Sequence, residues 1–284
     1  MLTLVTGTTG QVGRAFVPRL LAQARPGEQV RVLVRDESHG AALAGLGAQV
    51  AVGDLRDSEA LGKALAGADA VVNIAAAFRD VPDEEMRAVN RDAAVELGRA
   101  AVAFGVRRFV QVSTNLVYGE GRARPHDEDD ASIPGGPLWG AYPESKAEAE
   151  RELLALDGLD TRVGRLAFVY GEGDPHLAQS LRWLAHWPAA KRFHLVHVAD
   201  VARGLMRLLY APGADGRVYN IADDAPVTAL DVHRLLDAGL PAEAHTRMDE
   251  DPWHGIVSTE RIRRELGFCP QYPTIWTARD AGAL

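Results

Sequence analysis

Apolar residues arrive in short bursts along the first half of the chain, and the stretches between the bursts repeat with helical spacing. The bursts at 2–6, 30–34, 49–52, 70–77, 108–114 and 161–168 read as buried strands. Helices are expected between them, at 14–21, 41–47, 58–66, 83–104 and 142–157. Asp57 stands where it would cap the third of these. In the fourth, Met86, Val89, Ala93, Leu97 and Ala100 form one apolar stripe. Strand and helix in alternation predict an α/β fold with a doubly wound parallel sheet.

The alternation loosens after residue 171. Short strands are expected at 195–198 and 217–221, and helices at 176–187, 200–210, 231–236 and 259–266, the last stopped by Gly267. This half has too little strand for a large sheet of its own. Residues 1–171 are therefore read as a dinucleotide-binding domain to which 196–221 returns. Residues 172–195 and 222–284 are read as a small C-terminal substrate-binding cap.

Composition narrows the function. The 284 residues are 47% apolar and 25% charged, as in an ordinary globular protein. A net charge of −8 argues against a nucleic-acid partner, which needs a basic face. No apolar run reaches the roughly 18 residues of a membrane span, and no signal peptide is evident. Cys269 is the sole cysteine and is expected to be a small packed residue. Without a disulfide framework, a reducing, cytoplasmic setting is expected. His194 and His197 lack a Glu or Cys at ligand spacing, so no metal is expected. A long polar loop at 120–140 carries Asp127-Glu128-Asp129-Asp130, expected to be a solvated face.

Three stretches carry chemistry. The first strand runs into Gly7-Thr8-Thr9-Gly10-Gln11-Val12-Gly13, a turn that lets backbone N–H groups and a helix N-terminus meet a pyrophosphate. Arg14 either adds a phosphate contact or is exposed. The second strand ends in Arg35-Asp36. An Arg there suits a 2′-phosphate and an acid suits a 2′-hydroxyl, so NADP is favoured over NAD. The alternative leaves Arg35 solvated and Asp36 on the ribose. Asp54 can accept from an adenine amino group, or serve as a cap. Third, Tyr142 and Lys146 lie one helical turn apart. An ammonium beside a phenol lowers its pKa, and moving it from about 10 to about 7 takes roughly 4 kcal/mol. A tyrosine so tuned is a general acid/base, although this spacing also arises by chance on exposed helices.

The ordered set Thr6–Gly13, Gly53-Asp54-Leu55, Asn73-Ile74-Ala75-Ala76, Val89-Asn90, Val112-Ser113-Thr114, Val117-Tyr118-Gly119 and Tyr142-x-x-x-Lys146 resembles the extended short-chain dehydrogenase/reductase superfamily, of the NAD-dependent epimerase/dehydratase type. Val196-His197-Val198-x-Asp200-Val201, Val218–Ile221 and Arg264–Pro270 extend the resemblance over essentially the whole chain. It implies a Rossmann sheet binding NADP, with NAD the alternative. It further implies Tyr142 as acid/base, Lys146 as the residue that tunes it and holds the nicotinamide ribose, and Thr114 as hydrogen-bond donor to the substrate oxygen. Gly7, Thr9, Gly10, Gln11, Val12 and Gly13 match the cofactor turn, Asp54 and Leu55 the adenine contacts, and Ala75 and Ala76 the backbone beside the cofactor.

Departures from the family narrow the reaction. Sugar-nucleotide dehydratases carry an Asp-Glu pair where this chain has Asn115 and Leu116. Many sugar-nucleotide epimerases grip the diphosphate with an Arg where this chain has Phe193, Arg192 being one residue off. The leading expectation is therefore an oxidoreductase interconverting a carbonyl and a secondary alcohol on a small molecule. A sugar or nucleotide-sugar epimerase is the alternative, and a non-catalytic dinucleotide-binding regulator a third. Trp139, Trp183, Trp187 and Trp253 are candidates to line the substrate cap. Relatives commonly dimerise through two long helices, here 83–104 and 139–157, whose Ala-rich faces permit a homodimer.

Overall fold

A computed structural model of the chain describes residues 1–135 and 140–284. In order, the first half comprises β1 (Leu2–Thr6), α1 (Gln11–Ala22), β2 (Gln29–Val34), α2 (Glu37–Gly45), β3 (Gln49–Val52), α3 (Ser58–Leu65), β4 (Ala70–Asn73), α4 (Asp83–Arg87), a π-helical turn (Ala88–Ala93), α5 (Ala94–Ala103) and β5 (Arg108–Thr114). Then come α6 (Ala141–Leu154), β6 (Asp160–Leu166), β7 (Phe168–Tyr170), α7 (His176–Leu184), β8 (Arg192–Phe193), β9 (Leu195–His197), α8 (Val198–Tyr210) and β10 (Val218–Ile221). The chain ends with β11 (Val227–Thr228), α9 (Ala229–Leu235), α10 (Glu260–Leu266) and α11 (Ile275–Asp280).

Seven strands form one parallel sheet in the order β10-β6-β5-β4-β1-β2-β3. The order reverses beside β1, and in open α/β sheets ligands bind at the carboxyl ends of strands at such a switch point. Helices cover both faces. Phe16, Val17 and Leu20 of α1 pack with Val201, Leu205 and Leu208 of α8 on one. Leu61 and Leu65 of α3, Val95 and Leu97 of α5 and Leu153 of α6 cover the other. The central strands β1 and β4 read as largely apolar runs because both their faces are buried.

Four departures from the expected elements position the site. β4 stops at Asn73 rather than running to residue 77. Its continuation must pass Gly7, where a Cβ would collide with the backbone of Ile74 and Ala75. The single long helix expected at 83–104 is interrupted by the π turn, which turns buried Asn90 onto Ala77. Asn90 Nδ2 donates to the Ala77 carbonyl at 2.8 Å, and the Ala77 N–H donates to Asn90 Oδ1 at 2.9 Å. The strand expected at 161–168 splits at Ala167, so that β7 leaves the main sheet and pairs with β9. β8 and β11 form a two-stranded antiparallel ribbon that the sequence does not announce.

Residues 171–195 and 222–238 contribute Leu177, Leu184, Phe193, Val227 and Val232 to a separate apolar cluster with Ile275 and Ala278 of α11. α10 sits elsewhere: Ile262, Leu266 and Phe268 join the core under the main sheet. The acidic run is half buried, contrary to a solvated face. Glu128 accepts from the Asn220 N–H at 2.8 Å, and Asp130 receives Arg124 at 2.7 Å and His126 at 3.2 Å. Cys269 is exposed, not packed. His197 is buried and caps α8, its Nδ1 accepting from the Ala199 N–H at 3.2 Å.

α6 is aligned along the preceding helices by three ion pairs, Arg87–Glu144 at 3.1 Å, Arg91–Glu148 at 2.9 Å and Arg99–Glu152 at 3.6 Å. Such exposed pairs are individually weak, so their effect is on register more than on stability. Gly13 lies buried behind the first turn, where a Cβ would strike the Gly7 carbonyl. Gly13→Ala is therefore expected to cost about 1–3 kcal/mol through forced backbone displacement. A urea midpoint equal to the parent's would contradict this packing.

Candidate active site

A cleft of about 970 Å³ opens along the carboxyl ends of β1, β4 and β5 and reaches Trp183, Trp187 and Phe193. That is the upper end of the range for small-molecule sites. Its floor is the turn after β1: Gly7, Thr9, Gly10, Gln11 and Val12 line it, whereas Gly13 packs beneath and Arg14 is exposed outside it. Gly10 has no side chain to cap α1, which leaves the first-turn N–H groups facing the cleft. The hydroxyls of Thr8 and Ser113 are buried without a partner among the described residues, and both residues line the cleft. Unspent donors on a positively polarised helix end beside a close glycine turn fit the pyrophosphate and ribose of a dinucleotide.

Beyond the turn the wall is made by Arg35, Asp54 and Leu55 at one side and by Ala75 and Ala76 at the middle. Asp36 is turned away to cap α2, accepting from the Ser38 N–H at 2.8 Å and the Ser38 hydroxyl at 2.6 Å. Asp54 is bound by Arg56, with Nε to Oδ1 at 2.9 Å, and Arg56 also reaches Glu85 at 3.3 Å. Arg35 has no hydrogen-bond or ion-pair partner among the described residues.

Tyr142, Lys146 and Thr114 meet at the inner end. Thr114 Oγ1 accepts from the Leu116 N–H at 3.2 Å, which leaves its own proton to donate. Lys146 is buried, and its Nζ donates to the Val112 carbonyl at 3.1 Å and to the Ala75 carbonyl at 3.4 Å. Two of its three protons are thereby used and one remains. Burial pulls Lys146 down to about 8, against the nearby Glu150 carboxylate, so it stays mainly protonated at neutral pH.

The phenol does not follow the expected tuning. Burial pushes Tyr142 up to about 12; the Arg79 guanidinium, and then the Thr114 hydroxyl, oppose that rise. Lys146 is directed to backbone carbonyls, so the cation felt at the phenol is Arg79. The outer wall is aromatic. Phe168, Trp183, Trp187 and Phe193 line the cleft, with ring centroids 4.8 Å apart for Trp183–Trp187 and 5.5 Å for Phe168–Phe193. Trp253 instead stacks with Arg192, 4.9 Å from its ring, in a separate cavity of about 350 Å³. Trp139 lies outside the described residues.

Residues 3–222 match the sequence model of the NAD dependent epimerase/dehydratase family. The chain belongs to that family. Its members are NAD(P)-dependent enzymes of the extended short-chain dehydrogenase/reductase type. A 4-hydroxy-2-methyl-3-oxo-4-farnesyl-3,4-dihydroquinoline-1-oxide ketoreductase from Stigmatella aurantiaca is 31% identical over 283 residues, covering 92% of this chain and 83% of that protein. A dTDP-glucose 4,6-dehydratase from Streptomyces griseus is 31% identical over 299 residues, covering 95% and 88%. A short-chain dehydrogenase/reductase superfamily protein from Agrobacterium tumefaciens, solved with bound NAD, superposes with a TM-score of 0.79 at 25% identity, covering 99% and 96%.

Against this epimerase/dehydratase background, Asn115 is committed to structure: its Nδ2 donates to the Gly255 carbonyl at 2.6 Å. Leu116 beside it has no titratable group. Phe78, Arg79, Asp174 and His254 also line the cleft and were not singled out from the sequence. The available signal was position, since Phe78 and Arg79 directly follow the small residues at the carboxyl end of β4. No group of three metal-ligating side chains and no helix long and apolar enough to cross a membrane occurs among the described residues.

Burying the Lys146 ammonium costs stability, because the unfolded chain binds that proton more tightly. The cost is full below about pH 8 and fades as pH rises toward the ordinary lysine value of 10.5. Lys146→Met, of similar volume, is expected to raise the unfolding free energy at pH 7 by up to about 3 kcal/mol, and the denaturation midpoint with it, the gain vanishing above roughly pH 10. The Val112 carbonyl keeps Gln111 Nε2 at 2.8 Å in that variant. A lower midpoint than the parent's at pH 7 would contradict this account.

Proposed function

We propose that this protein is an NADP-preferring oxidoreductase that reduces a carbonyl to a secondary alcohol on a small, apolar-bodied molecule. The observation that carries the reading is the aromatic pocket in the same cleft as Tyr142. Phe193 packs at 5.7 Å from Trp183 and 5.9 Å from Trp187, where sugar-nucleotide epimerases place a diphosphate-gripping Arg. Arg192 does not substitute, since it faces Trp253 and donates to the Pro252 carbonyl at 3.2 Å. With Asn115 and Leu116 in place of an acid pair, elimination of water lacks its acid and base. The ketoreductase from Stigmatella aurantiaca, named for a farnesylated dihydroquinoline substrate, supports reduction of a ring-bearing ketone.

A bound nicotinamide supplies the hydride. The chain does the rest. A phenol held up at about 12 is protonated at neutral pH and serves as the acid that donates to the oxygen as it gains charge. The Thr114 hydroxyl donates a second hydrogen bond to that oxygen, which matters most in the transition state. Lys146 offers its remaining proton to a ribose hydroxyl and keeps a positive field under the site. The cap's aromatic side chains exclude water and orient the substrate face. Arg35 favours a 2′-phosphate, because Asp36, the carboxylate that would take a 2′-hydroxyl, already serves Ser38.

Two variants test the reading. Tyr142→Phe is expected to bind NADPH within about twofold of the parent yet lose on the order of 10²-fold or more in kcat for carbonyl reduction; retained turnover would remove Tyr142 as the acid. The parent is expected to show a kcat/KM for NADPH above that for NADH. Arg35→Gln is expected to cost NADPH about tenfold, one charge-assisted contact, with little change for NADH. Equal losses for both cofactors would remove the role given to Arg35.

A further inference from the structure

We propose that Arg79 selects the substrate by binding a carboxylate carried close to the reacting carbonyl. This rests on the reduction proposed above and adds the class of compound reduced. Arg79 follows β4 in a loop that holds both it and Asp80 in the left-handed region, at φ 54° and 52°. Neither is a glycine, and a backbone held so tends to mark a ligand site. The guanidinium lies 4.9 Å from the Phe78 ring centroid, and that ring lies 4.3 Å from the Tyr142 ring. Arg79 therefore stands at the reacting end of the cleft, not at the adenosine end. Phe78 is 44% exposed, an aromatic face left open beside the acid.

Arg79 has no hydrogen-bond or ion-pair partner among the described residues, although it lines the cleft and is half-buried. Burial destabilises its charge. Asp174 lines the same cleft, and its side chain is 0% exposed. Its Oδ1 is taken by the His176 N–H at 2.9 Å and by His176 Nδ1 at 3.0 Å, and its Oδ2 has no partner among the described residues. The two opposite charges form no ion pair among the described residues, so the Arg79 donors stay free for a ligand. A desolvated guanidinium takes a planar carboxylate bidentately. Asp80 and Asp174 offset the positive charges of Arg79 and of nearby Arg182, so a single negative charge suits the place better than a doubly charged phosphate. The structure assigns the other end of such a substrate to the aromatic wall at Trp183 and Trp187.

The test is calorimetric titration of the NADP⁺-saturated protein with mandelate and with methyl mandelate, an acid and its neutral ester on one aryl carbinol. The parent is expected to bind mandelate at least about tenfold more tightly than the ester. Arg79→Gln is expected to lose about ten- to a hundredfold for mandelate and less than about twofold for the ester, and Arg79→Lys to recover part of the loss. Asp174→Asn is expected to bind mandelate as tightly as the parent or more so. No binding of mandelate, no preference over the ester, an unaffected Arg79→Gln, or equal losses in Arg79→Gln and Asp174→Asn would each overturn the inference; the last would make the two residues a structural pair. Turnover is read separately with benzoylformate and its methyl ester. Arg79-dependent mandelate binding without turnover of either ketone would remove the reduction and leave this inference standing. Turnover of the ester with no acid preference would do the reverse.

Discussion

The rest of the site depends on a chain of buried hydrogen bonds that crosses the sheet and ends beside the Lys146 ammonium. Thr6 donates to Asn73 at 2.5 Å, Asn73 to Gln111 at 2.8 Å, and Gln111 to the Val112 carbonyl at 2.8 Å, which Lys146 also reaches. Every member is buried. Polar groups out of water are tolerable only when each is satisfied, so this chain sets how closely β1, β4 and β5 approach. Gly7 follows from that closeness, because a Cβ there would strike the backbone of Ile74 and Ala75. The cleft opens beside this turn.

The two cations near the phenol have separate duties. Lys146 faces inward, to backbone carbonyls, and in the proposed reading its charge serves the ribose side. Arg79 faces the cleft and is the one that opposes the rise of Tyr142. A Tyr142 held protonated at neutral pH is the form that the proposed reduction uses. In the proposed reading the aromatic wall of Phe168, Trp183, Trp187 and Phe193 takes the body of the substrate, and Asn115 and Leu116 offer no acid pair for elimination.

Much of this is legible in the residue order. The parallel sheet shows itself because short strands rich in apolar residues alternate with helical stretches, and the turn at Gly7–Gly13 and Thr114 stand at strand ends while Tyr142 and Lys146 lie one helical turn apart. What stays hidden has physical causes. The stripe Met86, Val89, Ala93, Leu97, Ala100 continues through the π turn unchanged, so nothing marks the extra residue that turns Asn90 onto Ala77. The partners of Lys146 are carbonyls, which carry no side-chain signature. Arg79 occupies a left-handed conformation that composition gives no reason to expect in Phe78-Arg79-Asp80. In the acidic run, burial of Glu128 and Asp130 depends on Asn220, Arg261 and Arg124, two of them far along the chain.

The central claim is net reduction with hydride delivered at the carbon beside Tyr142. The most direct measurement is incubation with NADPH carrying deuterium on the transferring face of its nicotinamide and an aryl ketone, followed by mass spectrometry of the product. The account predicts one deuterium on the carbinol carbon and one NADPH consumed for each alcohol formed. Turnover of a substrate with no net NADPH loss and no label in the product would contradict it.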